Sequence, residues 1–572
     1  MKKLKIFLLF TFVIFSSCDL DEEPPYLDET AYTNIDSVLG ALDGIYAGLA
    51  SYNAQEQRLY VLNGFSGFFN SRRQGANIRN VNNTNLFSLK PLSNDGDATN
   101  MWLGYYRTIA RANTLIANID LDNNEESQVD LQFEDVVGQA HFVRAWCYFS
   151  LVRLFGDVPL LLDLPVYDDL MHELTSSKDV YSSIINDAKI ASGLMNGSTP
   201  NHYPKKYAAN MLLAKVYMTM ASDDYSTAYD IIPDDPLLGS NFWQMAYDQA
   251  IQVYDNYFLV SNYPSLFTMQ EENSIESIFE LQISQNAANS QMGRNYTPNN
   301  YKDGQSFGWL SVNKDIYDDH AATYPGDIRL EGEILPFQVC GLNGNGNPGN
   351  NNQPPSPVAL TADYLPREGA TYMSYYWNNN SNTNNYAPNG IVLNDAGNEV
   401  CRNFGQRVYP KNQNRPRYNV AHPYFFKYAN KDVNSSNQYD SKNIIIYRYA
   451  DLLLMLAEIS NELGLAGEAL DYVTQVLERS FLSNADYASA DQTTFRDKIM
   501  KEYRYELLGE GEDAHNNRRR GFDYFLDNII IPHNTNPTLN FNSLDLTLSE
   551  DPSQVMFLPI PIREINTNDL IN

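Results

Sequence analysis

The chain has 572 residues, a formal net charge of −30, and 40 tyrosines against 5 tryptophans. That length exceeds what one hydrophobic core normally holds, so several domains or a repeated architecture with inserted loops is expected. An acidic surface gains no counterion release beside phosphates, which argues against nucleic acid as a partner, and plentiful surface Tyr suits ligand contact.

Residues 1–17 carry three lysines, an apolar run from Ile6 to Phe15, and then small residues. The run is too short to span a bilayer and fits the h-region of a secretory signal peptide. Phe15-Ser16-Ser17-Cys18 has the form of a bacterial lipobox. Cys18 is therefore the expected lipidation site and the first residue of the mature chain; the other reading is a soluble secreted protein in which Cys18 is incidental. Residues 18–32, with Asp19, Asp21, Glu22, Glu23 and Pro24-Pro25, read as an acidic tether that disfavours helix.

Residues 33–283 read as the first part of a helical scaffold. A helix is predicted over Ile35–Ala50, followed by an irregular loop over 51–97, where Gly, Asn and Ser interrupt every apolar run. In that loop Phe65, Phe68 and Phe69 stand beside Arg72, Arg73, Asn77 and Arg79. Rings that stack on apolar faces, with guanidinium donors for hydroxyls or carboxylates, are what a sugar or peptide site uses. The same residues also fit a packed loop whose rings join the core and whose arginines pair with acids.

A helix over Asp97–Ile119 presents Trp102, Tyr105, Ile109, Asn113 and Ile116 at helical period. Its expected antiparallel partner is Gly138–Leu160, where Ala140, Val143, Cys147, Leu151 and Leu154 recur three or four apart. Gly156 and Pro159 mark the end of that helix, one able to take a left-handed conformation and the other unable to continue it. Further helices are predicted over Val180–Leu194, Tyr203–Met220, Phe242–Phe258, Tyr447–Leu463, Ala466–Arg479 and Asp491–Leu508. Adjacent helix pairs recurring along the chain indicate a mainly α, tetratricopeptide-like scaffold.

The array is interrupted at 284–443 by an Asn-, Gly- and Pro-rich insertion, and it resumes over 444–572. So long an irregular stretch on a helical scaffold reads as functional. It holds Tyr296, Tyr301, Trp309, Tyr375 and Trp377. The expected ligand site joins these aromatics to Phe68, Arg72, Arg73 and Asn77 on one face, with Trp309 and Trp377 as stacking platforms. The alternative is that both tryptophans anchor the insertion to the helices.

Seven histidines are scattered singly, without the paired spacing of a zinc site. A nucleophile elbow, a P-loop and a dinucleotide fingerprint are absent. No catalytic residue, metal or cofactor is therefore expected. Cys147 reads as a small core residue; Cys340 and Cys401 pair in an oxidising envelope only if their Cα atoms are close.

Several motifs, in order, carry a resemblance: Ser17-Cys18; Trp102, Tyr106 and Ala112-Asn113; Arg144-Ala145 with Tyr148-Phe149, then Phe155-Gly156-Asp157-Val158-Pro159. They continue with Tyr447-Arg448, Asp451-Leu452, Ala457-Glu458, Glu502, Arg504, Glu506-Leu507, Glu510-Gly511, Arg518-Arg519, and Leu558-Pro559-Ile560-Pro561. In this order and spacing the chain resembles the SusD/RagB family of outer-membrane nutrient-binding lipoproteins. It departs from the family at Asp513 and Asn516, which stand where Arg and Asp are usual, and at Asn568-Asp569.

The resemblance implies a tetratricopeptide-type scaffold carrying a variable ligand-binding part. It implies a lipid-anchored protein on the outer face of the outer membrane that binds glycan, or peptide, as the lid of a TonB-dependent transporter barrel. The family is not enzymatic; a surface glycoside hydrolase is the competing class. The acidic run behind Cys18 resembles the surface-export signal of Bacteroidota-type lipoproteins; in other Gram-negative bacteria an Asp beside that Cys would instead retain the protein at the inner membrane.

Overall fold

The computed structural model describes residues 32–51, 54–55, 57–71, 83–121, 128–164, 171–222, 241–283, 292–296, 309–331, 369–373, 375–376, 391–393, 399–401, 406–407, 423–429, 442–536 and 546–571. Residues 1–31, including Cys18, lie outside these, as does Cys340.

The chain enters through α1 (Ile35–Leu49), whose N-cap Asn34 accepts from the backbone of Asp36 and Ser37 and whose Val38, Leu42, Ile45 and Leu49 are buried. Next come α2 (Gln57–Phe65), the short strand β1 (Phe69–Ser71) and α3 (Asn83–Phe87). The loop expected over 51–97 thus contains a helix. All nine residues of α2 are buried, Gln57, Arg58 and Asn63 included. A helix with no solvent face has no reason to segregate polar from apolar residues, so its period was invisible.

The scaffold proper is α4 (Gly96–Asn118), α5 (Gln128–Phe155), α6 (Ser177–Leu194), α7 (Lys206–Ala221) and α8 (Phe242–Val253). Each packs on the next. Asp95 caps α4, accepting at 2.9 Å from the backbone of both Asp97 and Ala98. The central helix is α5: every residue from Asp135 to Phe155 is buried, and it stops at Gly156, with φ 73°. Aromatic edges lock α4 to α5, Trp102 on Phe155 at 4.9 Å and Tyr105 on Trp146 at 5.8 Å. One polar cluster ties three helices: Arg144 donates to Asn113 Oδ1 of α4 at 2.8 Å and to both oxygens of Asp187 of α6. Helix α8 ends short of the expected Phe258 because Tyr254 turns to ψ 145° and Asp255 takes φ 61°.

Strand β2 (Ser277–Leu281) then leads into the insertion. Its described elements are α9 (Met292–Tyr296), β3 (Leu310–Val312), α10 (Lys314–Thr323), α11 (Ile328–Glu331), β4 (Tyr372–Met373), β5 (Tyr375–Tyr376), β6 (Ile391–Leu393), β7 (Glu399–Cys401), β8 (Gln406–Arg407) and β9 (Tyr424–Phe425). The chain returns through β10 (Ile444–Arg448), antiparallel to β2. The helix expected from Tyr447 therefore begins two residues later, because the β-branched run Ile444-Ile445-Ile446 goes into the strand. It is α12 (Tyr449–Glu462), followed by α13 (Ala466–Arg479), α14 (Ala485–Ala488), α15 (Gln492–Leu507) and α16 (Asp513–Arg519). Since α12 packs on α8, the helix array continues past the point where the insertion leaves it.

Candidate functional site

A four-stranded antiparallel sheet of order β1-β3-β9-β4 joins the two stretches in which the sequence concentrates aromatic residues. Phe69 pairs with Val312, Asn70 with Ser311 and Ser71 with Leu310. Asn313 adds a clamp: its N–H donates to Phe68 O at 2.8 Å and its side-chain amide to Gly67 O at 2.9 Å.

Trp309 stands at the entrance to β3. Its N–H donates to Asn295 O at 2.9 Å, and its ring meets Tyr60 of α2 edge-on at 5.8 Å and Tyr296 at 6.3 Å. The side chain is half-buried.

Two other expected contact residues sit deeper than a ligand platform needs. Tyr296 is 1% exposed and hemmed in by Trp309, Phe425 and Tyr428. Phe68 is 2% exposed. The turn at Gly67, φ 83°, sends it inward, where the Arg504 guanidinium lies 5.2 Å from its ring centre. Both are core in this arrangement, a correction to their reading as surface contacts. Tyr375 belongs to β5, paired with Arg407 of β8. Tyr301, Trp377, Arg72, Arg73 and Asn77 lie outside the described residues. Tyr60 went unnoticed in the sequence because α2 has no period, and Arg504 was read only as part of the Glu502–Gly511 motif, which gives no sign of its contact with Phe68.

Beneath the sheet the insertion is bonded to the scaffold by buried charges. Arg329 of α11 donates to Glu502 Oε1 at 2.5 Å and Glu506 Oε2 at 3.0 Å, both on α15. Arg448 reaches Glu506 at 2.5 Å, Glu510 at 2.7 Å and Glu276 at 2.9 Å, and Arg479 also donates to Glu506. Burial alone would raise the Glu506 carboxyl; Arg479, Arg448 and Arg329 outweigh it and hold the group well below the usual carboxylate range. Lys427, just after β9, donates to Glu510 Oε1 at 2.7 Å, and burial brings its ammonium down to about 8 against that attraction. The recurring Glu502, Glu506 and Glu510 thus hold the insertion in place. Around Arg518–Arg520, Arg519 is bidentate to Glu458 and its Nε donates to Asn516 Oδ1 at 2.9 Å, while Asp513 accepts the Gly509 N–H at 2.7 Å. The two departing residues are therefore hydrogen-bonded into their surroundings.

Among the described residues there is no group of three or more His, Cys, Asp or Glu arranged to hold a metal ion. No helix among them is long and apolar enough to cross a membrane.

A continuous array of paired helices, with a sheet-bearing insertion bonded onto its C-terminal half, is the architecture of a known class of proteins. The SusD family model matches residues 275–572, and a second, described as "Starch-binding associating with outer membrane", matches residues 20–218. The chain belongs to the SusD family. It is 24% identical to SusD-like protein P25 of Formosa agariphila over 100% of this chain and 98% of that one. A SusD-like protein of Bacteroides ovatus is 25% identical over 49% of this chain and 50% of its own. Among solved structures, a SusD homolog from Bacteroides thetaiotaomicron superposes with a TM-score of 0.68 at 16% identity, covering 96% of this chain and 98% of its own. A laminarin-binding SusD-like protein superposes at 0.58 and 17% identity, covering 93% and 97%.

Proposed function

We propose that this chain is a lipid-anchored, outward-facing outer-membrane protein that binds nutrient glycan and passes it to a TonB-dependent transporter without chemical turnover. The observation that carries the glycan reading is Trp309, a half-buried ring at the joint between β1 and β3. Carbohydrates offer apolar C–H faces and hydroxyl edges, and a ring fixed along one side is a preformed stacking surface for them. Tyr375, Tyr301 and Trp377 would extend that surface, and Arg72, Arg73 and Asn77 would supply directional donors. Family membership supports binding over catalysis, and the laminarin-binding neighbour supports a glycan over a peptide. Cys18 is the proposed anchor.

The test is titration of the mature protein with starch, laminarin and peptide pools, with product analysis on the same samples, and mild-detergent extraction from the native host. Glycan affinity without products, and a co-purifying transporter barrel, are expected. Affinity for peptides only would make it a peptide-binding member; products abolished by one carboxylate substitution would make it a hydrolase. Repeated isolation without a barrel would remove the transporter.

A further inference from the structure

Three buried ion pairs meet where α5, α7, α12 and α16 converge. Arg153 of α5 donates to Glu512 Oε2 at 3.1 Å. Lys215 of α7 lies 2.7 Å from Asp451 Oδ2 of α12 and 3.5 Å from Glu512 Oε2. Arg519 of α16 is bidentate to Glu458. Between them is a cavity of about 10 Å³, lined by all of these side chains except Glu458, together with Met218, Thr219, Met455, Tyr503, His515 and Asn516.

Besides the Tyr503 hydroxyl, two polar atoms of this lining have no protein partner. Asp451 Oδ1 is one: the lysine takes only the other oxygen of that carboxylate. His515 Nε2 is the second. Their residues are 3% and 4% exposed, so bulk solvent does not satisfy either atom. An orphaned buried polar atom costs about 1–3 kcal/mol, and a folded chain keeps two of them beside one cavity only if something fills it.

Volume and charge decide what that is. Space of this size takes about one water molecule, which needs two to four polar partners. The ion pairs are balanced, with Arg153 on Glu512, Lys215 on Asp451 and Arg519 on Glu458. Each of the three lining cations already has its own carboxylate, Glu458 standing behind Arg519, so the cluster carries no net charge to hold a free ion and the fitting occupant is neutral. The walls are polar, which disfavours an apolar guest.

We infer that this cavity is a binding site for one ordered water molecule that donates to Asp451 Oδ1 and pairs with His515 Nε2. The water completes the joint between the N-terminal helices and the C-terminal segment. Burial and the adjacent Arg153 push the His515 imidazole well below its usual range, so the ring is neutral and one nitrogen is left to accept.

The test is a crystal structure of the wild-type mature chain at a resolution where ordered waters are refined. A single peak within about 2.5–3.2 Å of both Asp451 Oδ1 and His515 Nε2 is expected. An empty cavity, a side chain turned to bond these two atoms directly, or an anomalous peak after bromide or rubidium soaking would overturn the proposal. In solution, water-oxygen magnetic relaxation dispersion should count one fewer long-lived internal water in His515→Phe than in the wild type, because the ring fills part of the cavity and removes a partner. An unchanged count in a folded His515→Phe chain would also overturn it. If that variant does not fold, the crystallographic outcome on the wild type still decides.

Discussion

Trp309 of the insertion meets Tyr60 of the scaffold edge to face, with centroids 5.8 Å apart and ring planes at 74°. This one contact separates the two roles open to the tryptophan. As an anchor, its worth is that of an aromatic pair, about 0.5–1.5 kcal/mol beyond area burial. As a ligand platform, its removal costs binding of about 1 kcal/mol or more, on the scale of aromatic hot spots. Trp309→Ala is therefore expected to weaken glycan affinity several-fold in titration calorimetry while shifting the melting temperature only modestly. A variant that binds as well as wild type but melts earlier would make Trp309 an anchor.

Glu506 accepts from three arginines on three elements, Arg329, Arg448 and Arg479, and is fully buried. Removing its charge leaves guanidinium groups short of a partner in a dry interior. Glu506→Gln is expected to cost about 3–5 kcal/mol, the range for breaking a buried pair. A control is Lys501, which is exposed and 3.0 Å from the half-buried Asp319; Lys501→Gln should cost about 1 kcal/mol or less. Urea denaturation of both variants checks the ranking, and equal losses would contradict it.

Asp513 carries a pH dependence that can be isolated by difference. Burial raises its carboxyl to about 7, although the Gly509 N–H donating to it opposes the shift. The unfolded value is about 3.9, so between those limits the folded chain binds the extra proton. Its contribution to stability is fully present below the unfolded value and is lost as pH rises through the folded one. Asp513→Asn keeps an oxygen for Gly509 and cannot ionise. The variant should melt above wild type at pH 8, with the gap closing towards pH 5; a gap independent of pH would show that Asp513 does not titrate in this range.

What the sequence revealed depended on whether a residue's neighbours lie close along the chain. Helix α5 is buried on every side from Asp135 to Phe155, yet it was legible because its apolar residues recur at helical period over several turns and Gly156 and Pro159 stop it; α13 was read with its observed ends because one face is buried and the other wet. Helix α2 was missed because it is only nine residues long and, buried on all sides, mixes polar with apolar residues, so too few turns remain to show a period. The aromatic richness of the insertion and of Phe65–Phe69 was visible, and the pairing of β1 with β3 explains why both stretches carry it. Depth was not visible. Phe68 and Tyr296 have the residue types of a sugar platform, but composition cannot distinguish a ring at the surface from one packed under Arg504 or behind Trp309.

Gly509 tests how tightly the insertion is seated. It has φ 80°, and a Cβ placed on it would lie 2.3 Å from the ring of Phe425 in β9. That ring has little freedom to retreat: it is fully buried, with Phe69 edge-on at 5.5 Å and Tyr428 at 5.5 Å. The backbone is pinned too, since Gly509 N–H donates to Asp513 and Gly509 O accepts from Asn63 at 3.3 Å. Forcing an L-residue into the left-handed region costs about 1–2 kcal/mol, and overpacking a well-filled site adds about 1–3 kcal/mol. Gly467 provides the contrast, lying within α13 with nothing within 4 Å of its built Cβ and no positive φ. There alanine should stabilise by about 0.5–1 kcal/mol through helix propensity. Chemical denaturation should place Gly509→Ala well below wild type and Gly467→Ala at or above it. The Gly509 variant should also lose glycan affinity, because displacing Phe425 disturbs β9 and, through β3, the seat of Trp309. Equal stability of the two variants would mean that β9 yields to the scaffold, and that the insertion is held by its charges and not by this contact.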